Sequence, residues 1–250
     1  MARGKTAPFG LWKSPITSEL IASGTVWLGQ IALDEKDVYW VEMRPSEGGR
    51  SVIVRSSSDG SKVTITPSPF NVRNMVHEYG GAAFCVQDGI IYFSNFNDQR
   101  LYCQGPDDLP NPITPPGDWR YADGIIDRKR KQIICIREDH HEMTGEVDNS
   151  LISIGIKNNK IKVLVSGSDF YTSPRLSPDG SQLAWISWNH PNMPWDGTEL
   201  WTGRFNLEGS IVEIVRVGGG LDESIIQPEW SPDGLLYFVS DRTGWWNLYR

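Results

Sequence analysis

A seven-residue pattern that occurs twice constrains this chain more than any other feature. Pro174-Arg175-Leu176-Ser177-Pro178-Asp179-Gly180 and Pro228-Glu229-Trp230-Ser231-Pro232-Asp233-Gly234 differ only at their second and third positions, and their serines lie 54 residues apart. An apolar run follows each copy, Leu183-Ala184-Trp185-Ile186 and Leu236-Tyr237-Phe238-Val239. A second short run follows in turn, Glu199-Leu200-Trp201 and Asn247-Leu248-Tyr249. Weaker copies stand upstream. Val38-Tyr39-Trp40-Val41 leads to Val52-Ile53-Val54, Ile91-Tyr92-Phe93-Ser94 to Arg100-Leu101-Tyr102, and Ile133-Ile134-Cys135-Ile136 to Ser150-Leu151-Ile152. The anchors Val38, Ile91, Ile133, Leu183 and Leu236 are separated by 53, 42, 50 and 53 residues.

Each period holds about four strand signals, short, β-branched or aromatic, and broken by Gly, Pro, Asn and Asp. In the fourth unit they fall at residues 173–176, 183–187, 199–203 and 211–217. Ser-Pro-Asp-Gly has a turn mechanism: proline presets φ, aspartate bonds the local backbone and glycine accepts positive φ. Four antiparallel strands in about fifty residues make the blade of a β-propeller. A plain β-sandwich is disfavoured because five units share both the anchor run and the run after it. The expected fold is therefore all-β, with five four-stranded blades of a seven- or eight-bladed ring. The fifth is incomplete, because only three of its strand signals precede Arg250. Residues 1–24 read as an N-terminal extension with a short helix at 17–22, and 25–250 as blades. An unfinished array leaves an apolar blade face open, so the chain reads as a fragment, or as one whose open end a partner covers.

Composition narrows the function classes. Twenty-four Lys and Arg against 31 Asp and Glu give a net charge of −7. With no basic stripe, this argues against nucleic acid as a partner. The one basic cluster, Arg128-Lys129-Arg130-Lys131, reads as a solvated turn. Cys85, Cys103 and Cys135 are odd in number, lack CxxC spacing and sit in apolar runs, so they read as buried free thiols in a reducing compartment. No signal-peptide pattern follows Arg3 and Lys5, and no apolar run approaches the ~18 residues of a membrane helix. The expectation is a cytoplasmic chain with no membrane partner and no cofactor.

Several longer stretches resemble the propeller of the prolyl oligopeptidase family of serine peptidases, in its bacterial dipeptidyl aminopeptidase or acylaminoacyl-peptidase-like branch. They are Trp12-Lys13-Ser14-Pro15-Ile16-Thr17, the stretch from Val38 through Arg44-Pro45 to Gly48-Gly49-Arg50, His77-Glu78-Tyr79-Gly80-Gly81, the loop from Asn189 to Trp201, and Ser240-Asp241-Arg242-Thr243-Gly244-Trp245-Trp246. The resemblance implies a second, α/β-hydrolase domain with a Ser-Asp-His triad, in cis or as a separate chain. It also implies a propeller that acts as a lid admitting short peptides. This sequence departs from the family pattern in that these 250 residues are expected to hold no counterpart of the hydrolase half.

The residues themselves carry no catalytic set. No G-x-S-x-G elbow occurs, and Ser166-Gly167-Ser168 lacks the flanking glycines and the helix that an elbow needs. Without an activated nucleophile, acyl transfer by these residues is not expected. Asp139-His140-His141-Glu142 resembles a metal cluster, yet adjacent strand residues point to opposite faces, and it reads as a blade loop with no metal. Two substrate-channel or interdomain candidates remain. His77, Glu78 and Tyr79 are either a polar cluster near the channel or a hydrogen-bonded lead into a strand. The loop holding His190, Asn192, Trp195 and Asp196 either lines the substrate route or packs blade on blade. Trp185, Trp188, Trp201, Trp230, Trp245 and Trp246 read as packed core rather than a sugar platform. The competing functional class is a non-enzymatic protein-interaction propeller of the TolB or WD-repeat kind. A sialidase-like propeller fits poorly, since Ser177-Pro178-Asp179-Gly180 places its glycine one residue too early for an aspartate box.

Overall fold

The computed structural model describes residues 6–11, 14–141 and 147–250. The described strands form five antiparallel meanders. Blade 1 holds β1 (Trp27–Asp34), β2 (Asp37–Arg44), β3 (Arg50–Ser56) and β4 (Lys62–Thr64). Blade 2 holds β5 (Phe84–Gln87), β6 (Ile90–Ser94), β7 (Leu101–Gln104) and β8 (Asn111–Pro112). Blade 3 holds β9 (Trp119–Asp127), β10 (Gln132–Asp139), β11 (Asp148–Gly155) and β12 (Ile161–Ser166). Blade 4 holds β13 (Phe170–Leu176), β14 (Gln182–Trp188), β15 (Glu199–Phe205) and β16 (Ile211–Gly219). Blade 5 has three strands, β17 (Ile225–Trp230), β18 (Leu236–Ser240) and β19 (Asn247–Tyr249). The first strands touch in the order β1, β5, β9, β13, β17, so they line the axis of a β-propeller. Every anchor falls in the second strand of its blade. The expected helix is α1 (Ser18–Gly24), and the Thr17 hydroxyl caps it by accepting the Leu20 N–H at 3.0 Å.

Alternation along the second strands explains why the blades stack. Successive strand side chains point to opposite faces. In β10, Ile133 and Cys135 enter the core shared with blade 2, beside Tyr92 and Leu101. Ile134 and Ile136 enter the core shared with blade 4, beside Leu183 and Trp185. In β14, Ala184, Ile186 and Trp188 turn to Ile225 and Phe238 of blade 5. Both faces of these strands are buried, so their sequences are continuous apolar runs rather than alternating ones.

A polar layer near the axis ties neighbouring blades together. The register shifts in β1, β9, β13 and β17. At three of these bulges Asp123, Ser173 and Gln227 adopt φ of 55, 53 and 52°. The Asp123 carboxylate accepts the Ala82 N–H from the blade 2 side at 2.6 Å, and the Thr172 hydroxyl and Ser173 N–H of blade 4 at 2.8 and 2.9 Å. Gln30 likewise accepts the Ala83 N–H at 2.8 Å and donates to the Phe84 carbonyl at 2.6 Å.

Two expectations need correction. Residues 128–131 do form the β9–β10 turn, but Arg130 is not solvated. It pairs with buried Asp127 at 3.0 Å, donates to the Gly180 carbonyl at 2.9 Å and stacks on Phe205 at 3.8 Å. The turn thus clamps blade 3 to blade 4. Trp185 and Trp188 are core residues, whereas Trp245 is 80% exposed and Trp246 half-exposed. Both lie in the β18–β19 loop.

Asp123→Ala leaves three donors without their acceptor, so a loss of about 2–4 kcal/mol is expected, with Asp123→Asn milder. Urea unfolding measures it; a change under about 0.5 kcal/mol would show the layer to be dispensable.

Candidate functional site

In a meander, alternate connections leave from opposite ends of the sheet. The two Ser-Pro-Asp-Gly turns and the basic turn join first strands to second strands, which places them at one end of the propeller. Gly180 and Gly234 there take φ of 67 and 82°, and Asp179 accepts both the Ser177 and the Ser181 hydroxyl, at 2.7 and 2.9 Å. At the other end, second-to-third strand loops and blade-to-blade connections surround a cavity of about 1050 Å³.

A long connection between β4 and β5 forms one wall. It reaches across to blades 3 and 4, where fully buried Val76 joins the core with Ile134 and Leu183. Asn74 folds this segment on itself: its carboxamide oxygen accepts the Val76 and Gly81 N–H groups, and its nitrogen donates to the Gly81 carbonyl. A Cβ at Gly80, whose φ is 88°, would lie 2.9 Å from the Asn74 carbonyl oxygen. His77 and Glu78 then take φ of 55 and 66°, a left-handed pair of non-glycine residues that its surroundings must hold. Buried Glu138 accepts the His77 N–H at 2.6 Å, while Arg120 holds both the Met75 carbonyl (2.8 Å) and the Glu78 carboxylate (2.6 Å).

The interior combines aromatic rings with carboxylate–histidine pairs. Phe170 and Trp188 stack at 5.1 Å, and the His77 ring meets Trp188 edge-on at 5.1 Å. His140 Nε2 lies 3.1 Å from Glu138, and His190 Nδ1 3.0 Å from Asp169. The His77 Nε2 atom is buried and has no hydrogen-bond partner among the described residues. Burial pushes the His77 pKa below the usual histidine value, against the pull of Glu138 and Asp123.

Two of the sequence candidates meet here: His77, Glu78 and Tyr79 face the same cavity as His190. Asn192, Trp195 and Asp196 do not line it. Asn192 donates to the Leu221 carbonyl at 2.8 Å, Asp196 closes its own loop by accepting the Met193 N–H at 2.9 Å, and Trp195 is exposed. His140 and His141 diverge. His140 turns into the cavity, and His141 pairs with Asp139 at 2.7 Å and packs on Trp119. Glu142 lies outside the described residues, as do Trp12 and Lys13. Sequence reasoning missed Glu138, Asn149, Asp169 and Phe170, whose only signal was their place at the ends of strands leading to these loops. Ser166-Gly167-Ser168 joins β12 to β13, a strand-to-strand link rather than an elbow. Cys135 is buried as expected, while Cys85 and Cys103 are only half-buried. Burial pushes the Cys85 thiol up to about 12 and Cys135 also upward, so neither supplies a thiolate near neutral pH.

No family model and no curated protein matches the sequence. Solved structures do. A puromycin hydrolase is 37% identical over 99% of this chain, with a TM-score of 0.91. A puromycin hydrolase mutant complexed with PGG is 38% identical over 97%, with a TM-score of 0.90. The chain belongs to the prolyl oligopeptidase family, as its propeller part. A puromycin-hydrolyzing peptidase of Mycobacterium tuberculosis agrees, at 35% identity over 98% and a TM-score of 0.87. The chain spans 40% of the length of each of these three. TolB from Acinetobacter baumannii, at 16% identity and a TM-score of 0.52, shares with this prolyl oligopeptidase family propeller the fold alone.

The neutral His77 ring links stability to pH. The unfolded chain regains the ordinary value near ~6.5, so below that pH it binds a proton that the folded ring resists, and stability falls as pH drops. His77→Gln should flatten the decline in urea midpoints between about pH 7.5 and about pH 5. Parallel curves for the two proteins would contradict this.

Proposed function

We propose that this propeller gates the approach of short peptides to a serine peptidase α/β-hydrolase domain, in cis or as a separate chain, and supplies no catalytic group itself. The observation that carries the reading is the near-full-length match of the chain to puromycin-hydrolyzing peptidases, at 35–38% identity. The cavity supports it. Its wall of Phe170, Trp188 and His77 beside carboxylate–histidine pairs suits a small ligand with apolar and polar parts, and a relative was captured with PGG. The candidates His77, Glu78, Tyr79 and His190 are then substrate-route residues, while Asn192, Trp195 and Asp196 belong to a loop that shapes its rim. Nucleic acid and membrane are not partners in this reading, and the setting is cytoplasmic. Residues 25–250 make up the propeller, with 1–24 as an extension to it.

Two experiments test it. A fluorophosphonate probe should leave the 250-residue chain unlabelled; a labelled serine would refute the absence of a nucleophile. With its hydrolase domain, the protein should cleave short peptides and spare unfolded full-length proteins. Comparable cleavage of both would refute gating.

A further inference from the structure

One row of side chains crosses blade 3 at the cavity end. Tyr121 on β9, Arg137 on β10, Ser150 on β11 and Ser166 on β12 are successive register partners. Register partners stand on the same side of a sheet, so four polar groups share one face. Tyr121 is 1% and Ser150 6% exposed. Arg137 Nε and the Ser150 hydroxyl have no hydrogen-bond partner among the described residues, whereas the Tyr121 hydroxyl has Thr114 beside it. Both can donate, and a guanidinium can only donate. Buried polar groups are nearly always paired, so two such donors in adjoining strands mark a place that suits an acceptor. Arg137 and Ser150 border the cavity, whereas Tyr121 lies in the core shared with blade 2.

We propose that this end of the cavity binds the carboxylate of a short peptide. Arg137 supplies the charge, and the Ser150 hydroxyl supplies a further donor. The inference rests on the peptide reading above and deepens it. Phosphate would meet the same donors but not the aromatic wall of Phe170 and Trp188, so a peptide carboxylate should bind more tightly.

Calorimetric titration with Pro-Gly-Gly, its C-terminal amide and inorganic phosphate tests the assignment. The free acid should bind about tenfold or more tightly than the amide, the loss expected for a charge-assisted contact, and more tightly than phosphate. Arg137→Met should abolish the preference and Arg137→Lys retain part of it; Ser150→Ala should weaken acid binding alone. Thermal melts matching the parent protein establish that each variant is folded. Equal affinity for acid and amide overturns the carboxylate site and leaves the peptide reading standing. Binding of neither peptide overturns both. Phosphate bound as tightly as the acid, and lost in Arg137→Met, overturns the peptide assignment in favour of a general oxyanion site.

Discussion

Four consecutive side chains of β10, Ile133 to Ile136, are completely buried, two against blade 2 and two against blade 4. A single blade has no core of its own. Each fully buried isoleucine contributes about 1.5–3 kcal/mol only when a neighbouring sheet covers it, so stability resides between the blades. That constraint fixes the radial stack, and the stack fixes the site. Just past its apolar run, β10 carries Arg137 and Glu138 to the rim of the cavity, with His140 one residue beyond its end.

Polar groups set the details that burial leaves open. Apolar contact is non-directional and would tolerate blades sliding on one another. Asp123, with donors from both sides, and Gln30, bonded to the β5 backbone, define how the inner strands align. The Arg130 clamp does the same at the opposite end. Glu138 has a different task, holding the connector in its left-handed pair through the His77 N–H. A strained segment pinned by one buried carboxylate sits at the cavity wall, where strain of this kind tends to serve function.

Most of the blade plan was legible in the sequence because burial of the second strands writes a short apolar run that recurs every 42 to 53 residues. All five anchors fall in second strands, and the Ser-Pro-Asp-Gly turns take the backbone that their residue types require. The cavity was half legible. His77-Glu78-Tyr79 and His190 were singled out separately, but nothing in their spacing told that a connector leaving blade 1 would reach blades 3 and 4. Val76, the residue that anchors it there, is one valine in a polar stretch. Arg130 and the exposed Trp245 and Trp246 were misread for a related reason. Whether a turn cation meets a carbonyl, or a ring meets a sheet, depends on the neighbouring blade and not on local sequence.

The account joins a fold held between blades to a ligand cavity at one of its ends. Hydrogen exchange of the protein with and without a saturating short peptide addresses that join directly. The slowest amides should be those of residues 133–136, and the peptide should add protection at 76–79, 137–140, 148–150 and 168–170. Added protection confined to the opposite end, around the turns at 177–180 and 231–234, would contradict the account.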